Sequence, residues 1–227
     1  MSSFAHPLCK CIHSGKPLPR MNIDTEETLE HHQFEELIQG LIDDDYGCCN
    51  DFIPPSTVIG LSENIQRLNA SGNMMSSGIG NNSDFQKNKS IRGDQINWIA
   101  DQSVDQFEMI YLKKIGNFIS HLNSTCFTAI KSFESHYSTY EKKNFYARHL
   151  DQFKTEKGRK FSIVLYLNKD WKEKDGGMLA LHPKGEAQIN ISPLGGRMVF
   201  FRSDEMEHEV QASETRERRS IAGWLKN

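Results

Sequence analysis

No stretch of this chain approaches the roughly 20 consecutive apolar residues that a bilayer span needs. Its opening, MSSFAHPLCKCIHSGKPLPR, also has no continuous apolar core of the secretory kind, so a cytosolic protein with no membrane partner is expected. A surplus of positive charge is missing too: 27 Lys and Arg against 30 Asp and Glu give a formal net charge of -3. Without a basic field to supply generic affinity for polyanions, no nucleic-acid partner is expected. Cysteine is scarce and odd in number, five in all (Cys9, Cys11, Cys48, Cys49 and Cys126), with one adjacent pair. That suits reduced thiols better than a disulfide framework. Internal repeats and sharp composition breaks are absent as well, and no motif sets an oligomeric state. The expectation is a tail over residues 1–24 followed by a single domain over 25–227.

What is present divides into a helical part and a strand-rich part. In the tail, His6, Cys9, Cys11 and His13 form a tuft, but Cys-x-Cys with flanking histidines lacks the second knuckle of a structural zinc site, and a mobile tail is the simpler reading. Phe34, Leu37, Ile38, Leu41 and Ile42 fall at helical spacing. After Pro54 and Pro55 the same spacing resumes at Val58, Leu61, Ile65 and Leu68. Residues 70–93 are Gly, Ser and Asn rich and too long for a routine connection, which suits either a lid or disorder. Ser103 and Gln106 suggest a capping box, and Phe107, Tyr111, Ile115, Phe118, Ile119 and Leu122 then trace one face of a third helix. Beyond it come eight short segments with strand character, Phe133–Tyr140, Phe145–Phe153, Lys160–Asn168, Met178–His182, Ala187–Ile191, Arg197–Arg202, His208–Gln211 and Ser220–Leu225. The expected class is α+β, with helical support over about 25–125 and a jelly-roll-like double sheet over about 128–227.

One pair of residues raises a chemical question. In NFYARHLDQF, His149 and Asp151 share a strand face because side chains alternate with period two. Turned inward, they need a partner, since a buried unpaired polar group is costly. In RSDEMEHEVQA, His208 opens a strand just after the apolar RMVFFR. Two histidines and one carboxylate are the donor set of a facial triad with open coordination positions, the pattern of non-haem Fe(II) oxygenases. Arg218 and Ser220 share a face in RRSIAGW and form a fork for a carboxylate, while Tyr166 in SIVLYLNKDW places a phenol among apolar neighbours. One anionic small molecule would satisfy both. The histidines His31, His32 and His182 read as solvated or structural. Glu207 and Glu209 oppose His208 in parity, as Arg219 does Arg218, whereas Arg216 is set aside only by its spacing to IAGW.

The motifs FYARHLDQF, VLYLNKDW, DGGMLALHP, GRMVFFRSDEMEHEVQ and RRSIAGW together resemble those of the 2-oxoglutarate and Fe(II) dependent prolyl 4-hydroxylases, of the oxygen-sensing type and its bacterial relatives. The resemblance covers roughly Tyr137–Leu225, with an echo of the family's leading helices in FEELIQGLIDDDYGCCNDFIPPS. It implies a double-stranded β-helix, with iron held by His149, Asp151 and His208 and the distal carboxylate of 2-oxoglutarate by Arg218 and Tyr166. Ser220 and Trp224 would line that pocket. Tyr140 matches a family tyrosine near the metal, although the loop that follows is one residue shorter here and lacks Pro-Gly. The implied co-substrates are 2-oxoglutarate and O2, with ascorbate as a reductant, and the implied partner is a protein or peptide containing proline. The segment DQFKTEKGRK matches a mobile substrate loop, or is a solvated charged hairpin. Two other readings stay open: the same chemistry on a free amino acid or other small molecule, and a metal- and 2-oxoglutarate-binding sensor without catalysis.

Overall fold

In the computed structural model, residues 23–77, 91–152 and 158–227 are described. The tail with its His6, Cys9, Cys11 and His13 tuft, the middle of the 70–93 stretch and the centre of DQFKTEKGRK lie outside them. Three helices, α1 (Ile23–Asp44), α2 (Pro55–Ala70) and α3 (Gln106–Thr125), are joined by strands β1 (Tyr46–Cys49), β2 (Met75–Ser76) and β3 (Asp94–Trp98). The remainder is β4 (Ser132–Tyr140), β5 (Tyr146–His149), β6 (Arg159–Tyr166), β7 (Leu179–His182), β8 (Ile189–Ile191), β9 (Met198–Arg202), β10 (Glu207–Val210) and β11 (Arg218–Lys226). All eight expected segments contain strands. Among the described residues, no helix is long and apolar enough to cross a membrane.

The strands form two antiparallel sheets, one of seven in the order β1-β9-β6-β11-β4-β3-β2 and one of four in the order β5-β10-β7-β8. Parity divides the core in two. Odd-numbered Phe161, Ile163 and Leu165 of β6 and Ile221 and Leu225 of β11 pack with Phe34 and Leu37 of α1, Leu61 and Ile65 of α2, and Tyr111, Ile115 and Phe118 of α3. The helices thus cover one face of the large sheet. Tyr166, Val199 and Phe201 point the other way and meet Leu179, Leu181 and Val210 of the small sheet. The cavity described below opens from this intersheet layer.

Several local expectations are corrected. The cap of α3 is Asp105, whose carboxylate accepts from the N–H groups of Phe107 (3.0 Å) and Glu108 (3.1 Å), whereas Ser103 Oγ accepts from Asp105 N–H. Asp105 is next to the first helical turn, where orphan donors need an acceptor. Ile42 is 68% exposed, because at 3.6 residues per turn it lies roughly 140° around the helix from Leu37. The segment expected as a strand to Phe153 leaves the ladder after His149. The expected 70–93 loop contains β2, and just beyond it comes β3, which adds to β4 with Asp94 opposite Tyr140 and Trp98 opposite His136.

Candidate metal and anion site

The first group lies on the small sheet. His149 of β5 and His208 of β10 face each other across the ladder, and Asp151 follows two residues after the strand ends. Asp151 Oδ1 is 3.5 Å from His149 Nε2 and Asp151 Oδ2 is 3.6 Å from His208 Nε2. One ligand atom from each of the three lies within 4.8 Å of the others. His149 Nδ1 is 2.8 Å from the Ala147 carbonyl and His208 Nδ1 is 3.1 Å from that of Met206. A carbonyl only accepts, so each Nδ1 carries the hydrogen and each Nε2 presents a lone pair to the centre. Tyr146 stacks on His149 with centroids 3.6 Å apart, and Phe201 packs on His208 at 4.7 Å. These contacts fix both rings.

Ser162 Oγ donates to Asp151 Oδ2 at 2.7 Å. Burial alone would raise the Asp151 carboxyl, but its interactions with the His208 and His149 rings and the hydrogen bond from the Ser162 hydroxyl hold it far below the usual carboxylate range. Burial pushes His208 down to about 4 despite the adjacent Asp151, so it is neutral near pH 7. A carboxylate and two imidazoles whose Nε2 atoms converge on one centre are the donors a divalent metal takes. The donor set fits Fe(II).

The second group lies on the large sheet, facing the first. Arg218 is 2% exposed, and among the described residues no carboxylate lies within ion-pair distance of it. Its Nε donates to Gly177 O at 3.0 Å and its Nη1 to Ser220 Oγ at 3.3 Å, with the guanidinium carbon 5.0 Å from the Tyr166 ring and 5.3 Å from the Tyr140 ring. Gly177, at φ +65°, has the left-handed backbone that brings its carbonyl there, and a side chain at this position would touch Trp171 and Ser213. Tyr166 Oη is buried and, among the described residues, has no hydrogen-bond partner. Burial pushes its pKa up to about 12 against the pull of Arg218, and burial raises Tyr140 as well, so both phenols remain donors. A buried cation without a counter-ion beside an unpartnered hydroxyl fits a small dicarboxylate.

One cavity is lined by His149, Asp151, His208, Arg218, Ser220, Tyr140 and Trp224 together. Tyr166 borders it through the Arg218 guanidinium rather than lining it. The side chains set aside from sequence point elsewhere. Arg219 bonds Ser62 and Glu217, Arg216 stacks on Trp171, Glu207 pairs with Arg148, and His31 and His32 are exposed on α1. His182 differs from the expected hydrogen-bonded histidine: its Nε2 is buried with no hydrogen bond among the described residues, 3.6 Å from a Glu209 oxygen. Arg159 lies over Trp224 at 3.6 Å and binds Glu134, so it does not project as a free cation.

Sequence reasoning passed over Arg92, Asp94, His136, Ser138 and Tyr146, which line the same cavity. Arg92 pairs with Asp94 (Nε to Oδ1, 2.6 Å), Ser138 Oγ donates to Asp94 Oδ2 at 2.9 Å, and Ser77 donates to the same carboxylate. Burial would raise Asp94, but the bond and charge of Arg92 and the Ser77 hydroxyl bring it to about 2. The parity of His136, Ser138 and Tyr140 in β4 was the available signal.

A family model described as the 2OG-Fe(II) oxygenase superfamily matches residues 135–226. Egl nine homolog 1 of Mus musculus is 30% identical over 184 residues, which cover 73% of this chain and 43% of that protein. Prolyl hydroxylase EGLN3 of Homo sapiens is 29% identical over 138 residues, 54% of each chain. This chain therefore spans about half the length of the curated relatives it matches. Among solved structures, a prolyl-4-hydroxylase of Pseudomonas putida superposes with a TM-score of 0.79 and 30% identity, covering 86% of this chain and 100% of that one. A prolyl hydroxylase of Trichoplax adhaerens, in complex with a hypoxia inducible factor oxygen degradation domain peptide fragment, superposes with a TM-score of 0.80 and 24% identity over 91% of this chain and 94% of that one.

Proposed function

This chain belongs to the 2-oxoglutarate- and Fe(II)-dependent prolyl hydroxylases, and we propose from that premise that it hydroxylates a prolyl residue in a protein or peptide while converting 2-oxoglutarate to succinate and CO2. The observation that carries this reading is one cavity holding a two-histidine, one-carboxylate face on one side and, on the other, a buried arginine with no counter-ion among the described residues. The two sheets are read as a double-stranded β-helix, residues 25–227 as one catalytic domain and the cytosol as the compartment.

His149, Asp151 and His208 would hold the iron through Nε2, a carboxylate oxygen and Nε2. Arg218 would bind the distal carboxylate of 2-oxoglutarate, Tyr166 would donate its unpartnered hydroxyl, and Ser220, Tyr140 and Trp224 would complete the wall. Bound iron with the keto acid supplies the oxidising chemistry, in which one oxygen atom of O2 enters succinate and the other the substrate. The protein's part is to orient and to exclude water. Val164, Leu179 and Val210 give the cavity apolar walls between the two polar groups. Asp151, kept ionised, brings the only negative charge among the three ligands, and Ser162 and Ser203 hold its orientation through linked hydroxyls 2.8 Å apart.

The substrate assignment is tested in lysate by mass spectrometry, comparing +16 Da residues after incubation with wild type or His149→Ala. The expected result is a proline-centred gain with wild type only. Gain in free amino acids alone would place the chemistry on a small molecule, and no gain with 2-oxoglutarate bound would indicate a sensor.

A further inference from the structure

His136 is a buried group to which the proposed chemistry gives no task. It lies on β4, opposite Trp98 of β3 and Ala222 of β11, and is 2% exposed. Its ring is packed edge-on to Trp98 at 5.0 Å and tilted against Trp224 at 5.5 Å, and it lines the cavity that contains the metal and anion groups. Nδ1 is 3.0 Å from the Tyr137 carbonyl, so Nδ1 carries the hydrogen and Nε2 the lone pair. Nε2 has no hydrogen bond among the described residues, yet it is not one of the sealed, unpartnered polar atoms. On a residue that lines the cavity, this nitrogen is a free acceptor.

A position packed against two tryptophans would be filled more stably by an apolar side chain unless the imidazole acceptor meets a donor, since its surroundings strip part of its hydration. Resting on the prolyl hydroxylase reading, we propose that His136 is a specificity-determining residue whose Nε2 accepts a hydrogen bond from the peptide substrate, from the backbone N–H that follows the target proline. Proline has no N–H of its own, so the next residue carries the first donor on its C-terminal side. The surroundings are consistent: Arg92, Asp94 and Arg159 are the charged groups that act on the ring, and burial followed by Arg92 pushes it down to about 4. It is a neutral acceptor at neutral pH and does not repel an incoming N–H.

The test uses the full chain with Fe(II), 2-oxoglutarate and a pool of random proline-centred peptides, from which the most strongly hydroxylated member is taken. That peptide and its ester analogue, with oxygen replacing the N–H after proline, are assayed with wild type, His136→Leu and His136→Gln. The expected results are a peptide KM raised about tenfold by His136→Leu, the size of one lost hydrogen bond, a similar rise for wild type with the ester, and no further rise when both changes are combined. His136→Gln, whose side-chain carbonyl can accept, should recover part of the loss. Independent losses from the variant and the ester, or none, would overturn the assignment while leaving prolyl hydroxylation standing. A pool left unhydroxylated by wild type would instead remove the prolyl reading and this assignment with it. If His136→Leu fails to fold, the wild-type and His136→Gln comparisons with the ester still decide.

Discussion

At the residue scale, two buried groups make opposite demands on their surroundings. Arg218 is a permanent cation with no carboxylate near it among the described residues, so what it gains from 2-oxoglutarate should be large. Arg218→Ala should weaken 2-oxoglutarate binding about 30-fold or more, as expected for truncating one partner of a buried charged pair, measured by calorimetry with Mn(II) in place of Fe(II). Tyr166→Phe should cost only a few-fold, as for one neutral hydrogen bond. His136 makes the opposite demand, for neutrality. Its folded value of about 4 lies below the ordinary 6.5, so the unfolded chain takes up the proton first. The stability that follows from this is fully present above about pH 6.5 and is lost as pH falls towards 4, at up to about 1.4 kcal/mol per pH unit. Asp94 does not contribute there, because its depressed value of about 2 places its loss below the ordinary carboxylate value. Urea midpoints of wild type should therefore fall between pH 6.5 and 4, and His136→Gln should flatten that slope.

At the scale of elements, β3 and α3 show what the sequence can and cannot express. The helix is held at its start by one exposed-side cap, and Asp105→Ala should cost about 1 kcal/mol. The strand is tied through Asp94 to Arg92, Ser77 and Ser138. Asp94→Ala, which leaves Arg92 without its partner, should cost about 3–5 kcal/mol, and chemical denaturation of both variants checks the ratio. Helix α3 was legible because Phe107, Tyr111, Ile115, Phe118 and Leu122 repeat at helical spacing. Strand β3 was not, because DQINW is short and polar and its pairing with β4 lies some forty residues away in sequence. His149, Asp151, His208 and Arg218 could be singled out from their own segments and the family motifs that those segments resemble, although β5 ends at His149 and strand parity does not reach Asp151. Parity puts His136 on one face with Ser138 and Tyr140, but its neighbours are fixed only when β3, β4 and β11 lie side by side.

For the whole molecule, the division of labour between the sheets matters most. His149 and His208 belong to the small sheet and Arg218 to the large one, so under the proposed assignment metal and 2-oxoglutarate bound together would tie the two halves of the sandwich. Each, at about 100 times its dissociation constant, should add about 2.7 kcal/mol to stability. The gain from 2-oxoglutarate should be larger with Mn(II) present than without it, and His149→Ala should remove that difference in a thermal shift series. The layering of helices on one sheet face and a cavity at the other was foreseeable from the order of elements, because an apolar helix stripe must be buried against something. The most direct test of the central claim is anaerobic addition of Fe(II) and 2-oxoglutarate to the folded protein, followed by O2, reading visible charge-transfer absorption and then succinate. A band that needs both additions, is lost in Asp151→Ala and gives way to succinate on oxygenation is the predicted result; folded wild-type protein that shows neither band nor succinate would contradict it.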